Sequence, residues 1–300
     1  MNWSSDDNIK ISYRLLNVKG FGCAQANKLL WALSSTVQTS SQLENSIKQS
    51  LKPQDITAFD TEYTLYRTST QINYVSVLDD ISYPSKLRDS LRHNSPTVLS
   101  IMGNANLLHK KCVGISGSRK VSPKGLWITN DCTSQLAEND ICVVSGYASG
   151  VDIEAHKTAL SNNGSTIIVL PEGISTFYIR KELRDIWDWD RVLVISEFLP
   201  KDKWLASRAM KRNQTIIGLS DSMIVIEAGE TGGSLDAGLK TILSGKSLFV
   251  PYYKETPLSA AGNNLLIQKG AYPLGLGRDS HRTNIEKLMT AIYQPQTLDL

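Results

Sequence analysis

Long hydrophobic runs are missing from this sequence. Crossing a membrane as a helix takes about 18 consecutive apolar residues, and the longest runs here, such as Ile167-Ile168-Val169-Leu170, are strand-sized. The opening Met1-Asn2-Trp3-Ser4-Ser5-Asp6-Asp7 lacks the basic-then-apolar order of a secretory leader. Cysteine is scarce: Cys23, Cys112, Cys132 and Cys142 form no Cys-x-x-Cys pair, so neither a disulfide framework nor a zinc site is expected. A reduced, cytoplasmic protein with no membrane association, no metal and no cofactor is the expectation. Charge of one sign is scarce too. Thirty-two basic and 29 acidic residues leave +3, so the placement of charge has to decide for or against a nucleic-acid partner. Gly-x-x-x-x-Gly-Lys-Ser/Thr is absent, which excludes a P-loop ATPase. No Gly-x-Gly-x-x-Gly follows the first strand, which disfavours ordinary NAD binding.

The 300 residues, 41% hydrophobic and 20% charged, suit an ordinary globular protein with a sizeable core and exclude intrinsic disorder. Residues 1–75 read as a helical N-terminal domain, with Ala26–Trp31 at helical spacing and Leu43 and Ile47 on a weak helix inside a polar stretch. The pattern turns β-like at Tyr74–Leu78. From 110 onward, strands alternate with helices. Apolar strands are predicted at Val113–Ser116, Ile141–Val144, Thr166–Leu170, Val192–Ile195, Ser222–Glu227 and Ser247–Val250. Helices are predicted over Pro123–Glu138, 152–161, 180–187, Trp204–Gly218, after the 229–234 loop to Ser244, and Asn284–Ile292. This order predicts an α/β fold: a Rossmann-like, doubly wound, mostly parallel sheet over 76–275, with ligands at the carboxyl ends of the strands. Residues 276–300 are left as a C-terminal helix and tail.

Several strands end in small-residue loops that all emerge on one sheet edge. Gly117-Ser118-Arg119, Ser145-Gly146, Ser149-Gly150 and Thr231-Gly232-Gly233-Ser234 each precede a helix start and leave amides uncovered, as a phosphate site requires. Glycines that merely permit tight turns explain any one loop; several loops on one edge favour an anion site. Residues 110–124 carry Lys110, Lys111, Arg119, Lys120 and Lys124 with no acid, and 201–214 carry Lys201, Lys203, Arg208, Lys211 and Arg212 against one Asp. Arg208, Lys211 and Arg212 share a helix face at i, i+3, i+4. Whether the anion is a nucleotide or a DNA backbone stays open on charge alone. Asp152 and His156 could form an acid–base pair; as turn-ordering residues they act as an N-cap and a packed hydrogen-bonder. Glu172, Glu197 and Glu227 follow strands, but no nucleophile–base constellation emerges.

The ordered set Gly117-Ser118-Arg119, Val144–Asp152 with Ala155-His156-Lys157, Gly164–Leu170, Ser196-Glu197, Arg212-Asn213, Val225–Ala228, Gly233-Ser234-Leu235 and Gly262-Asn263…Gly270-Ala271 resembles the DprA/Smf family (DNA-processing protein A). Tyr83-Pro84-x-x-Leu87-Arg88 and Pro96-x-Val98-Leu99 resemble its lead-in, so the likeness spans about 78–271. It implies a single-stranded DNA-binding homodimer without catalytic turnover, acting in DNA uptake, processing or recombination and loading RecA onto strands. Arg119, Lys157 and the Arg212 segment would face the DNA. The expected phosphate-binding set is Gly117, Ser118, Arg119, Lys120, Ser145, Gly146, Lys157, Arg208, Lys211, Arg212, Asn213, Gly232, Gly233 and Ser234. Leu16-x-x-Lys19-Gly20-Phe21-Gly22-x-x-x-Ala26 resembles a helix–hairpin–helix (SAM-like) element. Gln214 stands where the family commonly has a second Arg, so Gln214→Arg is expected to tighten binding. Asp236 adds an acid at a helix start expected to face the pocket, and a winged-helix domain is not expected. The competing reading is a nucleotide sensor or nucleoside-phosphate enzyme of the related lysine-decarboxylase-like fold, with Glu230 or Asp236 assisting N-glycosidic cleavage.

Overall fold

Short apolar strands buried on both faces organise the chain. The computed structural model describes residues 5–61, 72–277 and 281–294. Nine strands form one sheet: β1 (Asn73–Ser76), β2 (Val98–Gly103), β3 (Cys112–Ser116), β4 (Cys142–Ser145), β5 (Thr166–Val169), β6 (Val192–Ser196), β7 (Ser222–Val225), β8 (Leu248–Pro251) and β9 (Tyr272–Leu274). Their spatial order is β1-β2-β6-β5-β4-β3-β7-β8-β9. β6 through β9 run parallel, and β1 and β2 add an antiparallel edge. All six predicted strands are present, with ends shifted by one or two residues. β2 and β9 were not read as strands from the sequence; β9 is three residues long and contains Pro273, a residue confined to sheet margins.

The crossovers are α6 (Pro123–Glu138), α7 (Val151–Ser161), α8 (Ala206–Leu219), α9 (Gly233–Leu243) and α10 (Asn263–Gln268), after α5 (Ser85–Leu91) and before α11 (Glu286–Tyr293). Strand alternation divides the core. Val113, Ile115 and Val143 pack with Ile128, Ala155 and Leu288 of α6, α7 and α11, while Cys112, Cys142 and Val144 pack with Leu87, Ile216 and Leu266 of α5, α8 and α10. The helix predicted over 180–187 is instead a 3-10 segment, Lys181–Ile186, with no side-chain cap. The backbone is extended at Phe177, Arg180 and Trp187 on either side of it, and Phe177 packs against Trp187 and Trp189.

From β3 the chain steps outward through β4 and β5 to β6. α8 then carries it back across β3 to β7, from which it proceeds the other way to β8 and β9. Successive connections therefore diverge between β3 and β7, opening a crevice at the carboxyl ends of these strands.

Four helices precede the sheet: α1 (Ser5–Leu16), α2 (Cys23–Ser34), α3 (Ser40–Ser50) and α4 (Pro53–Asp60). They enclose Leu15, Leu30, Leu43, Ile47 and Phe59. A Thr39–Gln42 capping box starts α3. Buried Asn27 donates to the carbonyls of His93 and Ser95, tying α2 to the segment before β2. The Lys19–Gly22 turn joins α1 to α2 with Gly20 at φ +87°. The tail beyond 294 lies outside the described residues.

Candidate nucleic-acid interface

A cleft of about 440 Å³ occupies the switch point between β3 and β7. The loop after β3 contributes Gly117, Ser118 and Arg119, the loop after β4 contributes Ala148 and the first turn of α7 Asp152, and the loop after β7 contributes Gly229 and Thr231 with the start of α9 adding Gly233 and Ser234. α8 forms the remaining wall with Met210, Arg212, Asn213 and Ile216, and Trp204 stands just ahead of it.

Glycines set how closely these loops approach. Gly150 is the N-cap of α7 at φ +84°, and a Cβ there would strike the carbonyls of Ser118 and Arg119. Only glycine lets the β4 loop rest on the β3 loop. A Cβ on Gly146 would strike the Arg212 guanidinium and the Asp152 carboxylate. Gly232, at φ +106°, begins α9 without a side-chain cap, and the amides of Gly233, Ser234 and Leu235 meet no acceptor among the described residues. The α7 amides are less free, since Val151 and Ile153 donate to the carbonyls of Ser118 and Ala148.

Arg212 is 7% exposed, and its Nε and Nη1 have no hydrogen-bond partner. No carboxylate among the described residues lies within ion-pair distance of it. Burial lowers its pKa, opposed by the Asp152 carboxylate. Burial likewise raises Asp152, opposed by Arg212, and its Oδ2 accepts the Ala148 amide at 3.2 Å. Asp152 thus braces the loop from inside the first turn of α7, while Gly150 takes the N-cap position the sequence suggested for Asp152. His156 is fully buried between Gly146 O (2.6 Å) and Thr166 Oγ1 (2.7 Å). Burial depresses it to about 4, so the neutral ring donates from Nε2 to the Gly146 carbonyl and accepts at Nδ1. It is a packed hydrogen-bonder that fixes the loop.

The predicted set divides. Gly117, Ser118, Arg119, Arg212, Asn213, Gly233 and Ser234 line the cleft, and Gly146 and Gly232 shape it from behind and beside. Arg119 is exposed, with no hydrogen bond or ion pair to any described residue. The rest lie elsewhere or are already engaged. Ser145 donates across the sheet to Ile115 O at 2.6 Å. Lys157 is exposed on α7 outside the cleft lining, and the Lys120 amide closes a turn onto Ser118 Oγ at 3.0 Å. Arg208 pairs with Asp202 at 2.9 Å. Burial would lower Lys211, but the Glu197 carboxylate at 2.9 Å outweighs it and lifts the amine to about 12. The shared helix face therefore delivers one cation, Arg212, to the cleft. Gln214 does not line it. Asp236, expected to face the pocket, pairs with Lys240 one turn along α9 at 2.8 Å.

The 110–124 basic run also divides. A five-residue strand is about 16 Å long, so Lys110 and Lys111 lie at the opposite edge of the sheet from Arg119. Lys110 pairs with Asp140, and Lys111 with Asp221 at 3.4 Å. Glu227 accepts from Ser122 and from the Tyr253 hydroxyl (3.1 Å), anchoring α6, and Glu197 accepts from Thr215. Sequence reasoning missed Trp204, half exposed at the cleft, and Arg180, which lies over the Tyr147 ring at 5.0 Å and donates to Ser149 Oγ at 3.3 Å. An Arg among aromatics just past the β5 loop was the available signal. Among the described residues no group of His, Cys, Asp or Glu could hold a metal, and no helix is long and apolar enough to cross a membrane.

Comparison with known proteins adds to this geometry. The DNA processing protein DprA of Streptococcus pneumoniae is 35% identical over 206 residues, covering 68% of this chain and 71% of the relative. Its crystal structure superposes with a TM-score of 0.63 at 26% identity, covering 89% of this chain and 92% of that one. The Helicobacter pylori DNA processing protein A, whose structure was described for its single-stranded DNA binding mode, matches with a TM-score of 0.59 at 26% identity over 74% of this chain and 94% of that one. The family described as DNA recombination-mediator protein A matches residues 74–284, the whole sheet but its first residue, and the chain belongs to that DprA/Smf family.

Proposed function

We propose that the protein binds single-stranded DNA along the Arg119–Arg212 cleft and acts in DNA processing or recombination by binding, without catalytic turnover. The observation that carries this reading is the convergence, at one crevice, of free α9 amides, an unpaired exposed arginine and a buried arginine lacking partners. Such donors hold backbone phosphates whatever the sequence. Unpaired bases need stacking faces as well. Trp204 offers one at 48% exposure, and Tyr178 another at 65%, beside the Arg180–Ser149 contact that continues the path away from the cleft. A duplex, whose bases stack on one another, has fewer free base faces to place on them. The solved H. pylori relative with its single-stranded DNA binding mode supports the same reading. Homodimer formation, delivery of the strand to RecA and a cytoplasmic site of action belong to this proposal by family likeness.

The nucleotide-enzyme alternative loses its carboxylates: Glu230 is exposed and outside the cleft lining, and Asp236 is paired with Lys240. Fluorescence anisotropy on labelled single-stranded and duplex oligonucleotides at two salt concentrations tests the proposal. Preference for the single strand, weakening as salt rises, is expected. Absence of binding at low salt would refute it.

A further inference from the structure

Arg212 lies deeper than contact with a passing backbone requires. An arginine 93% buried with two guanidinium nitrogens unpartnered marks a place for an anion that reaches the floor of the cleft. The floor is closed behind it, because Gly146 already abuts the guanidinium and Asp152. An interior phosphate of a strand carries a nucleoside on each side, and both would have to follow it down. A terminal phosphate carries one.

Charge favours the terminal group as well. Arg119 and Arg212 supply two positive charges, and the open end of α9 adds roughly half a charge. The partly satisfied α7 end adds less. Buried Asp152 subtracts at most one. The cleft is left with a surplus of at least about one and a half. A phosphodiester brings a single negative charge, whereas a phosphate monoester brings about 1.5 to 2 at neutral pH.

We infer that the Arg212 cleft takes the phosphate monoester at the end of a DNA single strand, with the terminal base against Trp204. This inference rests on the single-stranded DNA reading above. Binding of one sequence is measured as a 5′-phosphorylated, a 3′-phosphorylated, a hydroxyl-ended and a circular strand. Phosphorylation of one end is expected to tighten binding about tenfold, with the circle behaving like the hydroxyl-ended strand. Arg212→Lys is expected to reduce that gain to threefold or less. Arg119→Gln, at an exposed position with no structural partner, serves the same purpose should Arg212→Lys fold poorly. A circle that binds as tightly as the best phosphorylated strand, with all strands bound, would overturn the end preference alone. No binding of any strand at low salt would sink the reading beneath it. Deoxyadenosine monophosphate separates the other source of this chemistry: displacement only at millimolar levels is expected, and displacement at micromolar levels would reassign the cleft to a free nucleotide.

Discussion

The two edges of the parallel sheet use charge in opposite ways. At the amino edge, Asp221 accepts the Cys112 amide at 2.7 Å and lies 3.4 Å from both Lys86 and Lys111. Lys246 donates to three carbonyls at the end of α8, those of Ile217, Gly218 and Ser220. Lys86, Lys111 and Lys246 all have internal partners, and together they make this part of the edge a clasp. At the carboxyl edge Arg119 has none, Arg212 is buried with two idle nitrogens, and the α9 amides are open. Such an arrangement costs stability and persists where a ligand completes it. Unsatisfied donors, rather than the number of cations, distinguish the site.

The contrast can be tested from its largest consequence downward. His156 holds the carboxyl edge by its bond to Gly146. Its pKa falls from 6.5 unfolded to about 4 folded, so between those values the unfolded chain binds more protons and stability drops as pH falls. About 3 kcal/mol is expected to be lost across that window. Urea melts near pH 7 and at about pH 4.5 measure it, and His156→Asn should flatten the dependence. Arg212→Met comes next: single-strand affinity should fall about 30-fold, some 2 kcal/mol, while the melting temperature changes little, because relief of the guanidinium's burial offsets the loss of its attraction to buried Asp152. A lower melting temperature together with unchanged affinity would make Arg212 structural. Gly146→Ala should displace the guanidinium without altering any charge, weakening binding about tenfold. A full-strength variant would show that Arg212 is not read by the ligand.

Much of this architecture was legible in the residues. Six strands were visible because buried parallel strands are continuous apolar runs, and the switch-point loops because glycine punctuates them. The strand β9 and the 3-10 segment at 181–186 were not, since neighbours rather than local preference impose them. In the site, Arg119 and Arg212 could be picked out, but not which cations already had partners. Arg208 and Lys211 share a face with Arg212, yet their acids, Asp202 and Glu197, come from the segment after β6. Lys110 and Arg119 are nine residues apart in sequence and on opposite edges in space. Pairing is a tertiary property, and periodicity carries no record of it.

The smallest effects make the sharpest contrast between the edges. Anisotropy titrations of a labelled single strand across a salt series, with Arg119→Ala and Lys111→Ala beside the parent protein, compare one cation from each edge. Loss of the Arg119 phosphate contact is expected to lower the slope of log affinity against log salt by about 1, while Lys111→Ala leaves slope and affinity unchanged. Equal losses in the two variants, or none in either, would contradict the assignment of DNA to the carboxyl edge.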